Sequence, residues 1–412
     1  MADYAQRGAV NGGEMKSFTP EEILEAIETW TRFELPMINR QIEGKDSAEL
    51  LIERLKPLCE LSAPLVGRPM TGEFAARMLQ CLAFGVSSLE RHMQWSGHEP
   101  GKGVLALGVT DLLLHLGLLA DQPPRDTYGS YWLSNPGPSP LTFTGSYQEA
   151  MFHRIVNETE ALHEASVNAL LPICDGTLPF ASDEAVDAIE LAILNHEKLT
   201  AEFKSFMQPA VDRPREWAMT KVFFAFSMRT YLCTYPIGGV SWTGPNAANI
   251  PGQALLDFTI GTVDDEYRHT ILGRFPLLHE RDRVRIRAAM DRPSVLDRVL
   301  ETIGLQASDL SEIPEGELVP RFLARRDCMQ SLAAFCELVK SAAHLSATHF
   351  ALIHNYLRRM GEEASPEVRA KLPVKLDHGT GNMEHDGTWR IFQMRQEHPI
   401  ATRVVAAIRA AA

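Results

Sequence analysis

The sequence predicts an all-α protein with a smaller and a larger helical part. Apolar residues recur with helical spacing through most of the 412 residues, and no segment of useful length alternates with the period of a strand. A dense group of prolines and glycines at Asn135–Pro140 interrupts this pattern and is typical of a linker. We therefore predict a small N-terminal helical domain at 1–135, a linker at 136–145 and a large helical domain at 146–412.

The first predicted helix begins at Pro20, after a cap at Thr19 and with Glu21 and Glu22 in its first turn. Proline and acidic residues at these positions favour a helix start. This helix runs to about Glu34. Further predicted helices cover about 46–61, 71–95, 103–120, 147–172, 183–209, 214–234, 253–261, 280–290, 294–304 and 319–360. The segments 236–252 and 361–386 are rich in Gly and Pro and are predicted loops.

The composition limits the class of protein. Hydrophobic residues make up 45% and charged residues 23% of the chain, which is typical of a globular protein. The net charge of −13 argues against a nucleic-acid or anionic-membrane partner, since both favour a basic face. The apolar run Gly103–Ala120 contains Asp111 and His115 and predicts a buried helix. With no apolar leader at the N-terminus, we expect a cytoplasmic protein.

Cysteines give no motif. All six are scattered without a CxxC pair, which predicts reduced core thiols in a chain of this length.

Two Glu-x-x-His units predict helix faces that carry both a carboxylate and an imidazole. They are Glu160 with His163, and Glu266 with His269. Helical bundles hold di-iron centres with this spacing, together with a glutamate from each of two further helices. The same spacing is common on solvated helix faces. Both interpretations stay open from the residues alone.

His344 lies in a helical run of small residues. Ser341, Ala343 and Ala347 surround it, which leaves room for a broad, flat group against the helix. A haem held through a proximal imidazole requires such room. The alternative is a core or surface histidine. His349 and His354 lie on other faces of the same run and are expected to be core or surface residues.

Two further features suit a ligand site. Aromatic side chains flank the predicted linker, and they form either inter-domain packing or the wall of a pocket for a flat ligand. They are Tyr128, Tyr131, Trp132, Phe143 and Phe152. The turn Gly379-Thr380-Gly381 offers backbone N–H groups and a hydroxyl to an anion or amine.

In their order along the chain, these pieces resemble the superfamily of indoleamine 2,3-dioxygenase and tryptophan 2,3-dioxygenase, which are haem proteins. Within it the chain is most similar to the monodechloroaminopyrrolnitrin synthase subfamily. The resemblance covers about residues 85 to 395. Besides the segments around His344 and Thr380, its motifs are Leu89–Met93 with Gly97–Pro100, Gln122–Thr127, Trp132 with Asn135-Pro136, Gly238–Pro245, Asp264-Asp265 and Pro293–Asp297.

The resemblance implies an indoleamine 2,3-dioxygenase-like fold with a large haem-binding domain. It also implies haem b as cofactor, O₂ as co-substrate and an electron donor that reduces the haem. The implied activity is a haem-dependent oxygenase acting on tryptophan or a related indole or aromatic amino acid. The reaction would be a dioxygenation or an oxidative ring rearrangement, as in secondary metabolism.

Matching the family position by position implies roles for individual residues. His344 matches the proximal iron ligand, with Gly379 and Gly381 in the loop beside the cofactor. Thr380 matches a hydroxyl that contacts the substrate amino group or a haem propionate. Substrate-pocket positions fall on Tyr128, Tyr131, Trp132, Met151, Phe152 and Ile155.

Two positions depart from the family or are ambiguous. Ile155 stands where the family has serine or histidine, so its side chain offers no proton, and no catalytic residue is assigned. Arg229 matches the arginine that binds the substrate carboxylate, whereas a gapless alignment places Pro236 there.

Two alternatives to this function remain. A helical non-haem di-iron oxygenase would use Glu160, His163, Glu266 and His269, and would contain two irons and no porphyrin. A haem-binding carrier or sensor would bind haem through His344 and consume no oxygen with indoles.

Overall fold

A computed structural model describes residues 18–45, 48–135, 139–207, 219–245, 250–306, 309, 313–374, 390 and 393–398. Helices make up most of these residues, which confirms the predicted all-α class and is consistent with an indoleamine 2,3-dioxygenase-like fold. The only strands among the described residues are β1 (Tyr235–Ile237) and β2 (Val240–Trp242). They pair antiparallel, with Tyr235 opposite Trp242.

The α-helices follow one another along nearly the whole described chain. In order they are α1 Pro20–Thr29, α2 Leu35–Ile42, α3 Glu49–Ser62, α4 Gly72–Trp95, α5 Lys102–Leu107, α6 Thr110–Leu119, α7 Tyr128–Leu133, α8 Tyr147–Cys174, α9 Asp183–Met207, α10 Pro251–Ile260, α11 Asp265–Leu272, α12 Glu280–Asp291, α13 Val295–Glu301, α14 Glu315–Leu323, α15 Met329–Ile353, α16 Arg359–Glu363 and α17 Pro366–Lys371. Three π-helical segments are Trp30–Glu34, Phe223–Met228 and His354–Arg358. No described helix is long and apolar enough to cross a membrane.

Two predicted helices are divided in the structure. The run 103–120 forms α5 and α6, because Gly108 takes a left-handed conformation (φ 65°) that ends α5. The run 319–360 falls into α14 and α15, because Arg325 leaves the helical region of backbone conformation (φ −100°, ψ 73°). Within the predicted helix 214–234, residues Phe223–Met228 are π-helical and residues Arg229–Leu232 are 3₁₀-helical.

Two compact units make up the chain. The first comprises Met1–Ala150, Phe223–Pro245 and Ala364–Lys375. The second comprises Met151–Val222, Asn246–Glu363 and Leu376–Ala412. The division of the chain at 136–145 stays a prediction.

In the first unit α4 is buried along most of its length. Gly85 lets α3 approach closely, since a Cβ there would lie 2.9 Å from Leu55 Cδ2. Phe143 stacks between Phe84 and Tyr231, with ring centroids 4.3 and 4.6 Å away. These aromatic contacts join α4 to the segment before α8 and to the 3₁₀ turn Arg229–Leu232, so they fix the position of that turn.

Arg125 organises the polar interior of the first unit. Its guanidinium is 3.1 Å from Asp126 Oδ1 and donates to the carbonyls of Cys233 and Trp242, each at 2.9 Å. It also lies 4.2 Å from the ring centroid of Tyr235. A buried arginine is tolerated only when its donors are satisfied in this way. These contacts tie the β1–β2 hairpin to the segment that precedes α7.

The second unit has one hydrophobic core built from α8, α9, α10, α11, α12, α13, α14 and α15. Gly261 ends α10 at φ 90°, and a Cβ there would lie 2.3 Å from Ser294 Oγ. Ser294 in turn caps α13 in a reciprocal capping box with Asp297. All six cysteines of the chain are buried and free, as predicted.

Candidate functional site

His344 is exposed on α15. Its Nε2 lies 3.5 Å from Lys204 Nζ on α9. Ser341 and Ala347, one turn before and after it, are small and half-buried. The opposite side of α15 packs into the core through residues such as Phe335 and Leu338. The imidazole therefore stands on an open strip of helix beside the small residues Ser341 and Ala347, which leaves room for a flat cofactor.

His349 lies further along α15. Five residues separate it from His344, which places the two imidazoles about 140° apart around the helix axis. The His349 ring stacks on Phe203 with centroids 5.7 Å apart. Burial, and then the charge of Arg395, lower its pKa to about 4. It is therefore a neutral imidazole at neutral pH, the protonation state that binds a metal.

The donor set of α15 and its neighbour fits haem. Either imidazole supplies a nitrogen ligand of the kind that holds haem iron. The Lys204 ammonium beside His344 offers a charge for a propionate carboxylate.

Three predicted pocket residues lie on α7 in the first unit. Thr127 begins α7 by accepting from the Ser130 backbone N–H at 3.0 Å. Tyr128 and Tyr131 are buried and Trp132 is half-buried. The Tyr131 hydroxyl donates to Asp126 Oδ2 at 3.2 Å, and burial raises the pKa of this phenol well above its usual value. Tyr131 therefore stays protonated with its proton already engaged.

Arg229 begins the 3₁₀ turn Arg229–Leu232 and is only 8% exposed. Burial lowers its pKa to about 10, so the guanidinium still carries its charge at neutral pH. Pro236 lies in β1, where its ring covers Gly101. A Cβ on Gly101, which has φ 93°, would lie 2.6 Å from Pro236 Cγ. Pro236 therefore has a packing role. Of the two candidates for binding the substrate carboxylate, Arg229 is the one that carries a charge.

The remaining predicted pocket residues are on α8 in the second unit. Met151 and Ile155 are buried, and Phe152 is half-buried with its ring centroid 6.5 Å from that of Phe206. Ile155 adds an apolar surface and no proton. Gly379, Thr380 and Gly381 lie outside the described residues.

The two Glu-x-x-His units do not assemble into a di-iron site. Glu160 and His163 are buried on α8, whereas Glu266 and His269 are exposed on α11. Glu266 instead pairs with Arg390 at 2.7 Å. No group of three or more His, Cys, Asp or Glu among the described residues could hold a metal ion. The (i, i+3) spacing within each helix suits such a site. In the fold, however, one Glu/His pair is buried and the other is exposed to solvent.

Sequence reasoning missed a buried polar cluster around His196. Ser341 Oγ donates to the Leu338 carbonyl at 2.7 Å, so it accepts from His196 Nδ1, 2.8 Å away. His196 therefore has its proton on Nδ1. His196 Nε2, both ring nitrogens of His163 and Glu160 Oε1 are buried without a hydrogen-bond partner among the described residues. Such a cluster needs helices distant in sequence, and local patterns do not reveal it.

Glu160 should make stability depend on pH. Burial, and then the charge of Asp282, raise its pKa from 4.5 to about 8. Between these values the folded state binds the proton more tightly than the unfolded state, so the free energy of unfolding falls as pH rises. The slope from this group is at most about 1.4 kcal/mol per pH unit. In chemical denaturation from pH 5 to 8, the free energy of unfolding of the wild type should fall relative to that of Glu160→Gln as pH rises.

The control for this prediction is Glu158→Gln, which removes an exposed carboxylate on the same helix. His163 and His196 have lowered pKa values of about 3 and contribute the opposite slope as pH falls, equally in all three proteins. A Glu160→Gln protein with the wild-type slope would contradict a protonated Glu160.

Comparison with known proteins identifies a family. The family model for monodechloroaminopyrrolnitrin synthase PrnB matches residues 70–315. This match covers more than half of the chain and includes α7, Arg229 and the part of α8 with Met151, Phe152 and Ile155. It ends before α15 and before residues 379–381. No curated protein matches the chain.

Proposed function

This chain belongs to the monodechloroaminopyrrolnitrin synthase family, an oxygenase family of the haem tryptophan dioxygenase superfamily, and on that premise we propose that it is a haem-dependent oxygenase. Its substrate would be tryptophan or a closely related indole, and its reaction would belong to secondary metabolism. The family match over residues 70–315 is the observation that carries this proposal. The open strip of α15 around His344 supports it.

A histidine of α15 would hold haem b through its iron. The sequence resemblance assigns this role to His344, whose exposed position has room for the cofactor. His349 is the second candidate, because it is a neutral, half-buried imidazole on the same helix. When bound, haem would supply the redox chemistry that activates O₂, and an electron donor would be needed to keep it reduced.

The protein's own residues would bind and orient the substrate. In the first unit, Tyr128, Tyr131 and Trp132 would offer aromatic surface to the indole. The resemblance assigns Met151, Phe152 and Ile155 of the second unit an apolar substrate-binding role. Tyr131 would present its ring rather than its proton, since its hydroxyl is bound to Asp126. Arg229 would bind the carboxylate in a bidentate contact, and Thr380 the ammonium.

These roles make positioning the main contribution of the side chains to the reaction. Ile155 has no acidic hydrogen, and the Tyr131 proton is already donated to Asp126. Holding a ring in a reactive orientation can by itself account for a large part of a rate enhancement. We therefore expect substrate analogues to differ in rate mainly through how well they are oriented.

Absorption spectroscopy of the purified chain tests the proposal. The protein is produced with a haem precursor, and spectra are recorded before and after dithionite and with L-tryptophan. We expect a Soret band that shifts on reduction and shifts again with tryptophan. A Soret band with no oxygen consumption in the presence of indoles would instead indicate a haem carrier or sensor. The absence of a Soret band would overturn the proposal.

A further inference from the structure

Arg395 anchors the described C-terminal segment, residues 393–398, in the second unit. The Arg395 side chain is 4% exposed, and its Nη2 lies 2.5 Å from Asp257 Oδ2 on α10. Its Nη1 donates to Ser346 Oγ on α15. The neighbouring Met394 packs against the hydrophobic core. One residue near the C-terminus therefore contacts two helices of that core.

Both acceptors are oriented for this contact. Asp257 is fully buried, and its carboxylate also accepts from the Tyr267 hydroxyl at 2.6 Å and from Gln253 Nε2 at 3.1 Å. Ser346 donates its own hydrogen to the Ala342 carbonyl at 2.9 Å, which leaves the oxygen lone pairs for Arg395. A buried carboxylate without a cation is strongly unfavourable, so Arg395 is the residue that balances the charge of Asp257.

Ser346 lies between His344 and His349, the two candidate axial ligands on α15. A hydrogen bond to Ser346 restrains the rotation and the axial position of this part of the helix. We propose that Arg395 is a positioning residue for the histidine that would hold haem: it fastens α15 to α10 and so keeps the imidazole where haem would bind. This inference rests on the proposed haem-dependent function.

Arg390 provides a matched control in the same segment. It pairs with Asp264 at 2.9 Å and Glu266 at 2.7 Å, and its side chain is 43% exposed. Exposed ion pairs contribute little to stability. Arg390→Gln therefore removes a similar charge from the same segment without touching α15.

The experiment compares the wild type with Arg395→Gln, Arg395→Lys, Ser346→Ala and Arg390→Gln. Thermal unfolding of the haem-free chains measures the anchor itself. Transfer of haem from the loaded chains to apomyoglobin measures how well α15 is positioned. Outer-shell changes of this kind alter cofactor affinity by about 10- to 100-fold.

We expect Arg395→Gln to lower the unfolding temperature and to release haem at least tenfold faster. Ser346→Ala keeps the ion pair but leaves Arg395 Nη1 without its acceptor, so it should lower the unfolding temperature less than Arg395→Gln and still release haem faster. Arg395→Lys should be intermediate, and Arg390→Gln should match the wild type in both measurements.

The outcomes separate this inference from the proposed function. A lower unfolding temperature of Arg395→Gln, with wild-type spectra and wild-type haem release in both Arg395→Gln and Ser346→Ala, would overturn the positioning role and leave haem binding intact. A wild-type chain without a Soret band would overturn the proposed function and this inference with it.

Discussion

Replacing the axial histidine should leave the chain without tightly bound haem. We expect either His344→Ala or His349→Ala to lose the Soret band when purified after expression with a haem precursor, and the other variant to keep it. The two imidazoles point about 140° apart around α15, so only one of them can face the cofactor. The Soret band is lost because the imidazole bonds the haem iron to the protein, and without this bond the haem is held only weakly.

Each histidine variant serves as the control for the other, and His354→Ala tests a third imidazole beyond α15. Added imidazole should restore haem binding only to the variant that lost it, because it fills the space left by the ring. Loss of the band without rescue, together with a lower unfolding temperature, would indicate a folding defect. Unchanged Soret bands in both His344→Ala and His349→Ala would contradict an axial ligand on α15.

Local signals in the sequence are sufficient for most of the fold. The Thr19-Pro20 start of α1 and the long periodic runs of α8 and α9 are predicted from capping and apolar spacing alone. The breaks at Gly108 and Arg325 are less visible, because a single backbone conformation decides them. Short helices such as α7 and α11 were missed, since two turns are too few to show a period.

Tertiary contacts explain why the site was only partly predicted. The (i, i+3) spacing correctly places Glu160 beside His163, yet it cannot show that Glu266 and His269 face solvent. In the same way, helical spacing shows that His344 and His349 lie on different faces of α15. Only packing against α9 shows that one lies beside Lys204 and the other beside Phe203.

Long-range polar contacts are the part that sequence reasoning did not find. Arg395 is separated from Asp257 by 138 positions, and Arg125 from Cys233 by 108. Neither pair has a local pattern, because each forms only after distant helices meet. Such buried arginines are costly unless paired, so they mark the places where the fold fixes one arrangement of its helices.

Arg229 is the residue whose replacement should most affect substrate binding. Changing it to methionine keeps an apolar side chain of similar length in its buried position and removes the charge. If Arg229 binds the carboxylate, this variant should bind L-tryptophan about 2–5 kcal/mol more weakly, measured by the tryptophan-dependent shift of the Soret band. Arg229→Lys should be intermediate, since an ammonium cannot form the bidentate contact.

Tryptamine, which lacks the carboxylate, is the control ligand for Arg229. It should bind the wild type and Arg229→Met equally, because the contact that the variant loses does not exist for this amine. A general disturbance of the buried turn at Arg229–Leu232 would weaken both ligands. Equal tryptophan binding by wild type and variant would instead favour the gapless alignment, in which Pro236 replaces the arginine. The packing of Pro236 on Gly101 then leaves no cation at that position, and the natural substrate would be an indole without a carboxylate.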